Sequence, residues 1–201
     1  KEVSEISRKY LRPSQEDFIK AIKREDTTVV QNLLRYSQID PVANNNYAIR
    51  ESCKYGYVEI VNILLQDERV DPSANDNDSI QSATKNGHTE VVRLLLQHPR
   101  VDPTVNDNYA IRWTSENGHT EIFELLLREG RADPRVRNNI IIQLAMYNGY
   151  TEILKLLLQD PRIDPSVDDN FSIQWASRNG FTEIVRLLLQ DPRVDPSTND
   201  N

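Results

Sequence analysis

Apolar and polar positions along this chain fall into one block that returns repeatedly. Within 102–132, Ile122, Leu125 and Leu126 stand at i, i+3 and i+4, the spacing of a helix with one face in a core. Earlier in the same block stands Ile111, and isoleucine recurs in that place at Ile49, Ile80, Ile142 and Ile173. Runs of three leucines recur at 94–96, 125–127, 156–158 and 187–189.

Three further ladders share the step. Glycine falls at Gly56, Gly87, Gly118, Gly149 and Gly180, always 31 residues apart, and only Gly130 stands outside that series. Asp-Pro pairs climb from Asp40-Pro41 to Asp195-Pro196, and asparagines from Asn46 through Asn77, Asn108, Asn139 and Asn170 to Asn201. Independent ladders with a common step define a structural repeat.

Each unit reads as two helices. Asn108 is placed as the N-cap of a first helix over 109–117, its side chain accepting a backbone N–H of that helix's first turn. Gly118 then takes the left-handed position, where another residue costs about 1 kcal/mol more. Thr120 and Glu121 open the second helix. Neither helix can bury its apolar face alone. Stacking joins the leucine runs into one core, where each fully buried leucine contributes about 1.5–3 kcal/mol.

The sequence therefore predicts an all-α solenoid: five full helix-turn-helix units over 40–194, with 195–201 starting a further repeat or forming a tail. Residues 1–39 are expected to form an N-terminal extension and a degenerate capping unit. Phe18, Ile22, Val29, Val30, Leu33 and Leu34 lie 31 residues ahead of Ile49, Cys53, Ile60, Val61, Leu64 and Leu65. Ser14 with Asp17 is a capping-box pattern, and Glu25 stands in the turn-glycine place. Val3, Ile6 and Tyr10 are spaced for a helix over that end. At the other end, Ile184, Val185, Leu187 and Leu188 are expected to need a cover.

The string Asn86-Gly87-His88-Thr89-Glu90-Val91-Val92-Arg93-Leu94-Leu95-Leu96 resembles the second half of an ankyrin repeat, and near copies occur in every unit. The resemblance covers at least 18–194. Two departures stand out. The period is 31 instead of the family's usual 33, and the family's Thr-Pro-Leu-His-x-Ala start is replaced by sequences such as Asp78-Ser79-Ile80-Gln81-Ser82-Ala83. Gln or Arg thus fills the His slot, and the family's Thr–His link between repeats is missing. The short connection from Asp71 to Asn77 implies a reduced hairpin finger or a plain loop.

Composition narrows the function. Net charge is −7, and Lys and Arg form no long run, which argues against nucleic acid. No run of 18 apolar residues exists to span a membrane. A single cysteine, Cys53, excludes an internal disulfide framework and suits a reducing compartment. The expected location is the cytoplasm, or a host's cytoplasm if the source is a virus or an intracellular organism.

No catalytic, cofactor-binding or metal-ligating residue is assigned, and an enzyme is not expected. His88 and His119 share a slot with Tyr57, Tyr150 and Phe181, so shape and not protonation selects it. Zinc needs ligand atoms within about 2 Å, whereas stacked helices lie about 8–10 Å apart. His98 replaces an Asp in a loop and is expected to be exposed. Cys53 shares a slot with Thr84, Ser115, Met146 and Ser177, a packing position without a base beside it. Arg69, Arg100, Arg131, Arg162 and Arg193 stand two residues before the Asp of each Asp-Pro pair. They are expected to form an exposed salt-bridged rim with those acids, worth about 0–1 kcal/mol per pair.

Variation among the units points to a binding face. A stripe at i, i+4 and i+7 of the first helix reads Tyr47/Glu51/Lys54, Asp78/Ser82/Lys85, Tyr109/Trp113/Glu116, Ile140/Leu144/Tyr147 and Phe171/Trp175/Arg178. It starts two residues from the core isoleucines in helical phase, so it is expected to point largely away from them. In ankyrin proteins, the resemblance implies, first helices and fingers line a concave groove that grips partners. The candidate partner-binding residues are Tyr109, Trp113, Glu116, Ile140, Leu144, Tyr147, Phe171, Trp175 and Arg178, facing an unidentified protein partner. The competing expectation is that the aromatics pack between adjacent units. The alternatives in function are an end-to-end assembling array, against an otherwise monomeric chain, or a targeting domain of a larger effector.

Overall fold

Asparagine and aspartate are the side chains that best tolerate left-handed backbone, and this chain uses them in runs. The computed structural model describes residues 13–195, apart from the side chains of 137–139 and 167–170. Val3, Ile6 and Tyr10, residues 196–201, and the Asn139 and Asn170 side chains therefore lie outside the described part.

Twelve helices and no strand occur among the described residues. They alternate as first and second helices: α1 (Gln15–Lys23), α2 (Thr27–Leu33), α3 (Ala43–Tyr55), α4 (Val58–Leu65), α5 (Ala74–Lys85), α6 (Thr89–Leu96), α7 (Val105–Asn117), α8 (Thr120–Glu129), α9 (Val136–Tyr147), α10 (Thr151–Gln159), α11 (Val167–Arg178) and α12 (Thr182–Gln190). Each first helix packs on its own second helix and on the first helix of the next pair, and second helices stack likewise. The core runs unbroken through the stack. Ile49, Ile80, Ile111, Ile142 and Ile173 are all buried, as are Phe18 and Ile22 of the leading pair.

The start of each first helix departs from the expected N-cap. Asn106, Asp107 and Asn108 have φ of 52°, 59° and 54° with ψ of 45°, 53° and 43°, one left-handed helical turn. Asn44-Asn45-Asn46 and Asn75-Asp76-Asn77 do the same. Asn108 does not cap its own helix. Its Oδ1 accepts the backbone N–H of Asp133 in the next repeat at 2.9 Å. Asn46 accepts from Asp71 at 2.7 Å, and Asn77 from Asp102 at 2.8 Å. Gln15, 31 residues before Asn46, exchanges two bonds with the Asp40 backbone, at 2.9 and 2.7 Å. There the ordinary right-handed start is held by the expected capping box of Ser14 and Asp17, and the longer glutamine spans the gap.

The left-handed turns leave carbonyls to satisfy, and the residue in the family's His slot does it. Arg50 donates to the carbonyls of Asn45 and Asn44, Gln81 to that of Asp76, and Arg112 to those of Asp107 and Asn106. The connection is thus a turn followed by one left-handed coil, with no hairpin strands.

The turn glycines answer two demands. Gly118 has φ of +74°, and a Cβ there would lie 2.7 Å from the Tyr150 ring of the next repeat. Gly56 stands in the same relation to His88, with a Cβ 2.5 Å from Nδ1. Glu25 holds φ of 56° in the capping pair, where it keeps the chain direction at some strain.

At the far end the expectation of uncovered core residues is only partly met. Ile184 and Leu188 are buried, because α11 and α10 both pack on α12. The exposed apolar residue is Leu189, at 54%. Its counterparts Leu65, Leu96, Leu127 and Leu158 are half-buried.

A Cβ at Gly180 would meet nothing within 4 Å, although its φ is +72°. Gly180→Ala should therefore cost about 1 kcal/mol from backbone conformation alone. Gly118→Ala should cost a further 1–3 kcal/mol, roughly, for displacing the Tyr150 ring. Urea unfolding of the two variants checks the ordering, and equal losses would refute the steric half of the argument.

Candidate functional site

The arginine ladder is structural, but not as the sequence suggests. Arg69 turns back to Asp67, with Nε–Oδ1 at 2.9 Å and Nη2–Oδ2 at 2.6 Å, and Arg162 and Arg193 pair with Asp160 and Asp191 likewise. Arg131 pairs with Glu129. Arg100 has His98 in the acid's place, so the acid it reaches is Asp71, at the start of its own repeat, at 3.8 Å. From Asp40 to Asp164 the Asp of each Asp-Pro pair instead accepts from the residue two positions on. Asp102 holds the N–H and hydroxyl of Thr104, and Asp71 those of Ser73.

Each arginine also donates to a carbonyl of the preceding repeat: Ile39, Val70, Val101, Ala132 and Ile163 in order. The rim therefore clamps neighbouring repeats together. Hydrogen bonds from Arg69, Arg162 and Arg193 hold the carboxyls of Asp67, Asp160 and Asp191 below the usual range. The Thr104 and Ser166 hydroxyls do the same for Asp102 and Asp164.

The histidines take packing roles. His88 lies under Gly56, its Nε2 3.0 Å from the Lys54 carbonyl oxygen, and His119 lies against Gly87. Tyr150 and Phe181 fill the same place against Gly118 and Gly149. His98 is half-buried and not exposed as expected, its Nδ1 accepting the Arg100 N–H at 3.3 Å. Burial, with the nearby Arg100 charge, lowers its pKa. Cys53 is fully buried, which pushes its thiol pKa well up and makes it a poor nucleophile. Among the described residues no three His, Cys, Asp or Glu side chains converge as a metal site would require.

The variable stripe has more structure than its sequence suggests. Tyr109 stacks on Trp113 one helical turn on, with ring centres 5.8 Å apart and planes 21° apart. Phe171 and Trp175 repeat this pair two repeats later, at 6.0 Å and 27°. From the preceding repeat, the third stripe position reaches over the tryptophan. Lys85 places its Nζ 5.6 Å from the Trp113 ring centre, and Tyr147 sets its ring edge-on to Trp175 at 4.6 Å.

Tyr147, Phe171 and Trp175 thus meet in one cluster, and Tyr109, Trp113 and Lys85 in another. Glu116, Tyr147 and Arg178 are exposed. Tyr109, Trp113, Ile140, Leu144, Phe171 and Trp175 are half-buried, and Ile140, Phe171 and Trp175 also rest against the core. The stripe therefore faces the core flank more than its helical phase implies, since first helices about 8–10 Å apart cover the sides of wide residues. The indole Nε1 atoms of Trp113 and Trp175 are both covered and have no hydrogen-bond partner.

Stacked helical pairs, a shared core and one divergent flank define the class: a helical repeat solenoid. The family follows from comparison. Residues 18–107 and 108–200 match the family model described as ankyrin repeats in three copies, and the chain belongs to the ankyrin repeat family. Its fold is similar to the crystal structure of the ankyrin repeat protein EF0377, with a TM-score of 0.70 and 24% identity over 89% of this chain and 99% of that one. An ankyrin repeat domain from Acinetobacter baumannii AYE is similar at TM-score 0.69 and 20% identity, over 87% of this chain and 96% of that one. No curated protein matches the sequence. Ankyrin repeats are in general protein–protein interaction modules, typically without catalysis of their own. Among the described residues no helix is long and apolar enough to cross a membrane.

Acid should loosen the rim. The folded carboxyls titrate below their unfolded value of about 3.9, so their stabilisation is complete above that pH and lost as pH falls through the folded values. His98, with its folded pKa lowered, adds a shallower loss as pH drops below its unfolded value of about 6.5. Urea midpoints measured from pH 8 to pH 2.5 should fall gently near 6 and steeply below 4. A midpoint that holds or rises in acid would contradict this assignment.

Proposed function

We propose that this chain is a non-catalytic adaptor that binds a protein partner along the variable flank of its first helices, the concave side in ankyrin folds. One observation carries the proposal. The flank bears two stacked aromatic pairs, Tyr109–Trp113 and Phe171–Trp175, outside the positions that every repeat shares. Packing common to all repeats cannot demand Glu51 at one level and Trp113 at another, so these residues are free to serve recognition. Tryptophan and tyrosine often dominate interface energies. Ile140, Leu144 and Tyr147 lie between the pairs in sequence, and Glu116 and Arg178 supply charge. The lone buried thiol suits a reducing compartment, so the partner is sought in the cytoplasm.

Trp113→Ala with Trp175→Ala should weaken partner capture tenfold or more, as loss of two interface anchors implies. Urea unfolding should remain a single cooperative transition. Undiminished capture by the folded double variant would move the binding face elsewhere.

A further inference from the structure

Four of the five turn glycines follow an asparagine: Asn86-Gly87, Asn117-Gly118, Asn148-Gly149 and Asn179-Gly180. An asparagine amide before glycine is open to attack by its own backbone, because glycine has no Cβ to obstruct the following nitrogen. The glycine nitrogen adds to the asparagine Cγ, and Nδ2 leaves as ammonia. Water then opens the cyclic imide to aspartate, or to isoaspartate, whose main chain is longer by one carbon. The reaction needs only water, and it puts a negative charge where an amide stood.

The fold sets both reacting groups aside. The Nδ2 atoms of Asn86, Asn117, Asn148 and Asn179 donate to the carbonyls of Ser82, Trp113, Leu144 and Trp175, at 2.8, 3.0, 2.9 and 2.9 Å. The glycine N–H groups are engaged as well, donating to the carbonyls of Thr84, Thr114, Met146 and Ser177. Asn86, Asn148 and Asn179 have ψ of 3°, −2° and 2°, which turns the next nitrogen away from their own side chains. Imide closure therefore requires a rotation that swings the glycine and the start of the second helix. The next repeat stands in the way. The nearest ring atom of His119, Tyr150 and Phe181 lies 3.4, 2.7 and 3.6 Å from where a Cβ of Gly87, Gly118 and Gly149 would be. Gly180 meets nothing among the described residues within 4 Å.

We infer that Asn86, Asn117 and Asn148 are deamidation sites shielded by the stack, each reacting when its own repeat boundary opens and then holding that boundary open. Asn179, with no ring over its glycine, has only its local bonds for protection. The product carboxylate faces the carbonyl that the amide had bonded, and it stands at the negative end of the first helix. Isoaspartate also shifts the glycine N–H from its acceptor. A boundary that opens long enough to react cannot close as before, so a transient opening becomes a lasting change. Tyr55 fills the asparagine place of the first full repeat and carries no amide, so that turn is exempt. The reaction needs no partner and is measured without one, whatever the flank binds.

The test is peptide mapping by mass spectrometry of the full chain incubated in mildly alkaline buffer, with a parallel sample unfolded in guanidinium. In the native sample Asn179 should convert about tenfold or more ahead of Asn117, with Asn86 and Asn148 between them, as graded local opening requires. In guanidinium the four rates should converge. Tyr150→Ala strips the ring from Gly118 and should speed Asn117 about fivefold or more while leaving Asn86 unchanged. Tyr150→Phe keeps a ring there and should change neither. Native sites that convert as fast as unfolded ones, or in an order unrelated to ring cover, would overturn the inference. So would a Tyr150→Ala variant in which Asn117 is not accelerated, or in which all four sites accelerate alike through global unfolding.

Discussion

At three successive repeat boundaries a backbone amide finds its acceptor in the repeat before it, and the rest of the architecture depends on that bond. The N–H of Asp71, Asp102 and Asp133 is taken by Asn46, Asn77 and Asn108 across the boundary. To present its oxygen there, each asparagine ends a left-handed turn that most residues would resist. The cost of that turn is offset locally, by Arg50, Gln81 and Arg112 on its carbonyls, and across the boundary by the bond itself. Arginine clamps and glycine–ring contacts cross the same boundary on other faces. A repeat without its neighbour keeps the strain and loses the partner, so stability is a property of adjacent pairs.

The period, the two helices per unit and the capping register were legible because burial imposes them equally on every copy. Phe18 matches Ile49, and even Glu25 keeps the left-handed φ of the glycine it replaces. The role of Asn108 was not legible from its ladder alone, because asparagine suits both an N-cap and a left-handed turn. The signal lay in its company: Asn-Asp-Asn at 75–77 and at 106–108 is a run that no N-cap needs. The arginine pairing was ambiguous for a simpler reason. Asp67 and Asp71 are each two residues from Arg69, and only the bend of the loop decides between them.

The candidate surface was legible as a list but not as an arrangement. Its residues could be named because they vary where the core does not. Their coupling across repeats, Lys85 onto Trp113 and Tyr147 onto Trp175, depends on the offset between stacked helices, which a single chain of letters does not contain. The same offset half-buries the tryptophans and leaves their N–H groups unpaired. The molecule thus separates two tasks. Asparagine, arginine and glycine hold the stack together, and the inner flank of the first helices is left to diversify.

Native-state hydrogen exchange at the Asp71, Asp102 and Asp133 amides tests the cross-repeat bond most directly. These amides lie in loops between helices, where exchange is ordinarily fast. Protection approaching that of the core helices is the predicted result. Exchange as fast as that of exposed loop amides would mean that the asparagine bonds do not hold the repeats together.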